Sequence, residues 1–112
     1  MSDAIPLEDR FAGCLLGLAV GDALGARFEG QSPEWVAQRY RDPQALLDNP
    51  PGDVLSYTDD TQMAVAVAET LAEHGEIDEP ALCRAFVANY VPSRGYSFGT
   101  RRVIEAMGEG GD

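Results

Sequence analysis

Apolar positions run almost unbroken through the first quarter of the chain, where Phe11, Cys14, Leu15, Leu16, Leu18, Val20 and Leu24 cover nearly every side of a helix. That pattern predicts a buried central helix from about Pro6 to about Arg27. Pro6 suits a first turn, and Glu8 and Asp9 lie near the helix's positive end. Ser32-Pro33-Glu34 starts a short second helix carrying Trp35, Val36 and Tyr40. Residues 41–57 contain Pro43, Pro50, Pro51 and Gly52 and predict a long irregular loop. A third helix begins near Thr58 or Asp59 and stops at Gly75. Its period turns Ala64, Val67, Ala68 and Leu71 inward and Gln62, Glu69 and Glu73 outward. Asp78 caps a fourth helix, with Pro80 in its first turn and Leu82, Phe86 and Tyr90 on one face. After Pro92 a glycine-bearing loop leads to a last helix from about Thr100 to Met107. No segment alternates with period two for long enough to make a strand, and no repeat with a period of 20–50 residues occurs. The predicted fold class is all-α.

Within the first helix, Gly13, Gly17, Gly21 and Gly25 fall at every fourth position. Each glycine inside a helix costs about 1 kcal/mol relative to alanine, so the stripe calls for compensation, and close approach of a crossing helix is the usual form. Asp22 interrupts the apolar surface between the last two glycines. A carboxylate placed there must be hydrogen-bonded, protonated or beside a cation.

Charge narrows the range of partners. Nineteen acidic residues face eight basic ones, all arginine, for a net charge of -11 over 112 residues, and both halves of the chain are acidic. A negative field spread this evenly repels phosphate backbones and predicts no nucleic-acid partner, while it attracts divalent cations and cationic protein surfaces. Cys14 and Cys83 form no Cys-x-x-Cys or Cys/His cluster and predict two buried, reduced thiols, with a single disulfide between them as the alternative. The apolar run Phe11–Gly21 follows Asp3, Glu8 and Asp9 where a signal peptide wants positive charge, and it is shorter than the ~20 residues that span a bilayer. The expectation is a cytoplasmic protein without membrane attachment; the sequence leaves the oligomeric state open.

The densest chemistry lies in Tyr57-Thr58-Asp59-Asp60-Thr61-Gln62. Thr58 with two first-turn acids makes an ordinary helix cap. The same oxygens suit a hard cation such as Mg²⁺, Mn²⁺ or Ca²⁺. Two carboxylates ~4 Å apart repel by ~4 kcal/mol at an effective dielectric of 20, and a divalent ion reverses that sign. Glu29, just past the first helix, offers a further acid from another segment. His74 sits at a predicted helix end, Trp35 reads as a packing anchor, and Arg101 and Arg102 read as a solvated helix face, with contact to a substrate phosphate as the alternative.

Arg10-Phe11-Ala12-Gly13-Cys14-Leu15-Leu16-Gly17 through Gly21-Asp22-Ala23-Leu24-Gly25, followed by Thr58-Asp59-Asp60-Thr61, resembles the N-terminal part of the ADP-ribosylglycohydrolases. Arg94-Gly95-Tyr96 and Gly99-Thr100 are similar to that family's later loop and helix. The resemblance implies an orthogonal bundle of helices with a dinuclear Mg²⁺ or Mn²⁺ centre in the complete domain. It implies hydrolysis of the glycosidic bond between ADP-ribose and a modified protein side chain, or of a related ADP-ribosyl small molecule. Carried over by position, Thr58, Asp59, Asp60 and Glu29 become metal ligands, and Glu29, Asp59 and Asp60 become the catalytic acids.

Two parts of the family's pattern are absent from these residues: the glycine-rich segment that holds the diphosphate and the later Asp-x-Asp-Thr motif. Two octahedral ions sharing bridging atoms need about ten oxygens, and the four residues named fall short of that. Residues 1–112 are therefore expected to be one partial domain, the N-terminal portion of such an enzyme and catalytically incomplete alone. The alternative is a non-enzymatic helical module that binds proteins through its acidic surface.

Overall fold

Local capping chemistry places every α-helix but the first, as the computed structural model shows for residues 4–50, 52 and 55–110. Helix α1 (Leu7–Gly25) starts behind Pro6 and continues into a 3₁₀ turn, Ala26–Phe28. Gly30, at φ +80°, then reverses the chain. The Ser32 hydroxyl accepts the Trp35 N–H at 3.1 Å and opens α2 (Pro33–Arg39). Asp42 does the same for Ala45 at 2.9 Å and opens α3 (Pro43–Asp48). Helix α4 (Asp59–His74) is capped by Thr58 and ends at Gly75, whose φ of +75° lets its N–H reach the Leu71 carbonyl at 2.8 Å. Asp78 accepts the Ala81 N–H at 2.8 Å ahead of α5 (Glu79–Asn89). A 3₁₀ turn at Pro92–Arg94 and the Ser97 cap lead into α6 (Phe98–Gly108). The described residues contain helices and loops and no strand, an all-α fold.

Helices α4, α5 and α6 pack in sequence, and α1 lies across α4. The buried centre of this layer is small: Ala66 of α4, Ala81 of α5, and Tyr96 and Ile104 on either side of the α6 start. Thr70 is buried with them because its hydroxyl donates back to the Ala66 carbonyl at 2.9 Å. A second, aromatic cluster holds α2 to the end of α1. The Phe28 ring meets Trp35 edge-on at 6.2 Å and Tyr40 at 5.4 Å, so Trp35 is the packing anchor its sequence context predicts.

Several expectations require correction. The stretch 41–57 is not irregular throughout, because Asp42-Pro43 caps a two-turn helix just as Ser32-Pro33 does. The last helix begins two residues earlier than Thr100, behind the Ser97 cap. Gln62 faces inward at 7% exposure and Leu71 outward at 44%. Helix α1 is not buried: none of its residues is, and Phe11 and Leu16 are 63% and 66% exposed. Its glycines support no close approach, since a methyl group placed on Gly13, Gly17, Gly21 or Gly25 meets no atom within 4 Å. The common cause is that α4 covers only one side of α1. Cys14, on the open side, is exposed; Cys14 and Cys83 are both free thiols. With its 3₁₀ extension, Leu7–Phe28 forms a 22-residue helix long and apolar enough, by length and composition, to cross a bilayer, longer than the apolar run alone suggests.

The molecule is correspondingly open. Its radius of gyration is 17.3 Å, against about 13 Å for a compact chain of this length, and its extents are 50 × 47 × 22 Å. It exposes 8321 Å², where a compact monomer of 12.0 kDa exposes about 6,000 Å².

Candidate active site

Asp22 organises the junction between α1 and α4. Its Oδ1 accepts the Thr58 hydroxyl at 2.6 Å. Its Oδ2 accepts the Thr61 hydroxyl at 2.6 Å, the Thr58 N–H at 2.8 Å and the Thr61 N–H at 3.3 Å. Burial raises the pKa of this carboxyl, but the hydrogen bonds from Thr58 and Thr61 outweigh it and hold the group below its ordinary value. Asp22 is thus an ionised acid that takes up donors at the N-terminus of α4, where the helix dipole also favours negative charge.

This geometry decides what the Thr-Asp-Asp-Thr segment does. If Thr58 served only as a cap, its hydroxyl would make its short bond to the helix backbone. That contact, from the Asp60 N–H, is 3.4 Å, while the hydroxyl's donor bond to Asp22 is 2.6 Å. Thr58 and Thr61 therefore clamp α4 onto Asp22 and fix the orientation of the first turn that carries Asp59 and Asp60. Asp60 is exposed and Asp59 half-buried. Desolvation, then the negative charges of Asp59 and Asp22, push the Asp60 carboxyl above its usual pKa. Three acids in the same electrostatic neighbourhood, one of them already committed to threonine donors, leave Asp59 and Asp60 crowded with like charge.

A second set of contacts fixes the approach to this turn. Arg94 donates to the Ser56 hydroxyl at 2.6 Å and to the Tyr57 carbonyl at 3.0 Å, and its guanidinium lies 3.9 Å from the centre of the Tyr57 ring. Gln62 Oε1 accepts the Tyr96 hydroxyl at 2.7 Å and the Val91 N–H at 3.2 Å. The Tyr96 phenol is raised by burial and then by the nearby Asp59 and Tyr90. The segment 91–96 between α5 and α6 thus holds both the residues before Thr58 and the first turn after it.

Of the residues singled out from the sequence, Thr58, Asp59 and Asp60 share one helix start. Glu29 ends the 3₁₀ turn after α1 and is exposed. Among the described residues, no three His, Cys, Asp or Glu side chains converge as a ligand set for a metal ion. Sequence reasoning flagged Asp22 without a role and did not see the Gln62–Tyr96 and Arg94–Tyr57 contacts at all. The signal available for Asp22 was its position, a lone acid in an apolar helix. For Gln62 no signal existed, since its partners lie 29 and 34 residues away. Arg101 is also tied down, donating to the Pro92 carbonyl at 2.6 Å and so bracing the same segment.

Comparison with known proteins bears on the same residues. The chain is 36% identical to ADP-ribosylhydrolase ARH3 of Gallus gallus, across 96% of this chain and 32% of that protein. It is 37% identical to the ADP-ribosyl-(dinitrogen reductase) glycohydrolase of Rhodospirillum rubrum, across 93% of this chain and 37% of that one. ADP-ribosylhydrolase ARH3 of Homo sapiens is 34% identical across 88% of this chain and 29% of its own length. The chain spans about a third of the length of these curated relatives. No solved structure matches it. The ADP-ribosylglycohydrolase pattern matches residues 3–111, which include the Asp22 anchor, the Thr58–Asp60 turn and the Arg94–Tyr96 brace, and the chain belongs to that family.

Proposed function

We propose that this chain carries one side of the metal-dependent active site of an enzyme that hydrolyses the glycosidic bond of ADP-ribosylated protein or of a related ADP-ribosyl compound. The observation that supports it best is the clamp of Thr58 and Thr61 on Asp22, which presents Asp59 and Asp60 together at one helix start. Family membership and the relatives' names support the reaction class.

The donor set fits a hard divalent cation. It consists of oxygens alone; the Asp60 carboxyl is pushed up by desolvation first and then by the charges of Asp59 and Asp22, and that second part is a repulsion a bound cation would relieve. Mg²⁺ or Mn²⁺ would be held by Thr58, Asp59 and Asp60; Glu29, which the family resemblance adds to the set, does not converge with them among the described residues. The Thr58 hydroxyl spends its proton on Asp22, which leaves its oxygen lone pairs to act as a ligand. Lewis-acid charge and activation of a water for attack at the anomeric carbon are the chemistry that a bound cation would supply there. The residues of this chain do the positioning. Asp22 stays ionised and holds the turn, Arg94 holds the Ser56–Tyr57 approach, and Gln62 and Tyr96 fix the far side of the turn. The described residues do not close a cage around an ion, and a dinuclear centre would need further ligands from outside them.

Release of ADP-ribose from a mono-ADP-ribosylated protein, followed with the full native polypeptide in millimolar Mg²⁺ and again in EDTA, tests this function. Asp59→Asn and Asp60→Asn should each abolish the Mg²⁺-dependent release while leaving the far-ultraviolet dichroism intact. Release that continues in EDTA, or that survives both substitutions, overturns the assignment.

A further inference from the structure

The start of α4 carries two pairs of side chains, each spaced three residues apart and so standing one above the other along the helix. Thr58 and Thr61 form the first pair, and both hydroxyls donate to Asp22 of α1 at 2.6 Å. Asp59 and Gln62 form the second, about 100° further round the helix, and a different element holds it. Gln62 is buried, and its amide oxygen accepts the Tyr96 hydroxyl at 2.7 Å and the Val91 N–H at 3.2 Å.

Tyr96 is fixed in its turn. It is buried, and its ring meets Tyr90 edge-on at 4.9 Å. Burial and then the charge of Asp59 raise its phenol, so the Asp59 carboxylate lies close to that ring. Asp59 is half-buried at this contact, whereas Asp60, a further step round the helix, is exposed. The two acids are adjacent and chemically identical in the sequence, but the fold makes them unequal.

We propose that Gln62 is a positioning residue for Asp59: with Tyr96 and Val91 on its amide oxygen, it sets Asp59 in the crease between α4 and the 91–96 segment as the inner, pre-set ligand of the cation site, while Asp60 stands on the open side. A carboxylate ordered before an ion arrives binds it at a smaller entropic cost, and groups that orient a ligand without touching the ion act in this way. The inference rests on the cation reading of this turn and adds to it an inequality between the two acids.

Mn²⁺ titration of the full native polypeptide, followed by the loss of the free-ion paramagnetic resonance signal, tests it. Gln62→Met keeps the length of the side chain and removes the acceptor; it should weaken Mn²⁺ binding about tenfold with the far-ultraviolet dichroism unchanged. Combined with Asp60→Asn it should weaken binding by the same factor again. Combined with Asp59→Asn it should have no further effect, because the carboxylate it positions is gone. Should Gln62→Met lower the helical dichroism, Tyr96→Phe carries the same comparison, with a smaller loss in the same direction. Wild-type affinity in both Gln62→Met and Tyr96→Phe, or an equal further loss in the Asp59→Asn and Asp60→Asn backgrounds, overturns the positioning role while leaving the cation site standing. Absence of saturable Mn²⁺ binding to the wild type overturns the cation reading and this inference with it.

Discussion

Asp22 is the residue on which the junction of α1 and α4 depends. Its carboxylate accepts two hydroxyls at 2.6 Å and two backbone N–H groups, and hydrogen bonds to a charged group contribute about 1.5–3 kcal/mol each. Asp22→Asn keeps the shape but removes the charge and one acceptor oxygen. It should lower stability by about 2 kcal/mol, read as an earlier urea midpoint. The acid response follows from the signs. Asp22 has a depressed pKa in the folded chain, so its contribution is present above the unfolded value of about 3.9 and is lost as pH falls through the folded pKa. Asp60 has a raised pKa, so its contribution is present below the unfolded value and disappears as pH rises through the folded one. At neutral pH in EDTA, Asp60→Asn should therefore be at least as stable as the wild type while Asp22→Asn is less stable. Urea midpoints of both variants at pH 7 and pH 4 check this, and a destabilised Asp60→Asn chain would contradict it.

At the scale of elements, capping chemistry carried most of the legible signal. Ser32, Asp78 and Gly75 mark helix boundaries where they were expected, because a cap acts on backbone groups two to four residues away. Asp42-Pro43 carries the same signal, but Pro50, Pro51 and Gly52 nearby mask the short helix it starts. The first turn of α4 was legible as chemistry, since Thr58, Asp59 and Asp60 are neighbours in sequence. The face of that helix was not, because a buried glutamine depends on distant partners. Gln62 is inward only because Tyr96 and Val91 both donate to it. Gln62→Leu should accordingly cost about 1–3 kcal/mol, as the Val91 N–H and the Tyr96 hydroxyl lose their acceptor. Tyr96→Phe should cost about 1 kcal/mol, and the double variant should fall short of the sum. Additive losses in the urea midpoints would mean that the two side chains are not coupled.

At the scale of the whole molecule, an all-α chain was readable from period and punctuation, but the exposure of α1 was not. A helix that is apolar on all sides predicts burial, and here α4 covers one side while Phe11, Leu16 and Val20 face outward. The excess area and the large radius of gyration have the same origin. Because Leu16 makes few contacts in this chain, Leu16→Gln should change stability by no more than about 0.5 kcal/mol. The same substitution should reduce binding of a hydrophobic dye such as anilinonaphthalene sulfonate to the chain. A loss of several kcal/mol would show that α1 is covered in solution, by another copy or by rearrangement.

The central proposal is that Asp22, Thr58 and Thr61 present Asp59 and Asp60 as one side of a site for a hard divalent cation. Loss of the free Mn²⁺ paramagnetic resonance signal on titration with the full native polypeptide tests it most directly. The account predicts saturable Mn²⁺ binding that Mg²⁺ displaces, weakened at least tenfold by Asp59→Asn and by Asp60→Asn and unaffected by Asp9→Asn on the far end of α1. Absence of saturable binding, or binding that survives both substitutions in the Thr58–Asp60 turn, would contradict it.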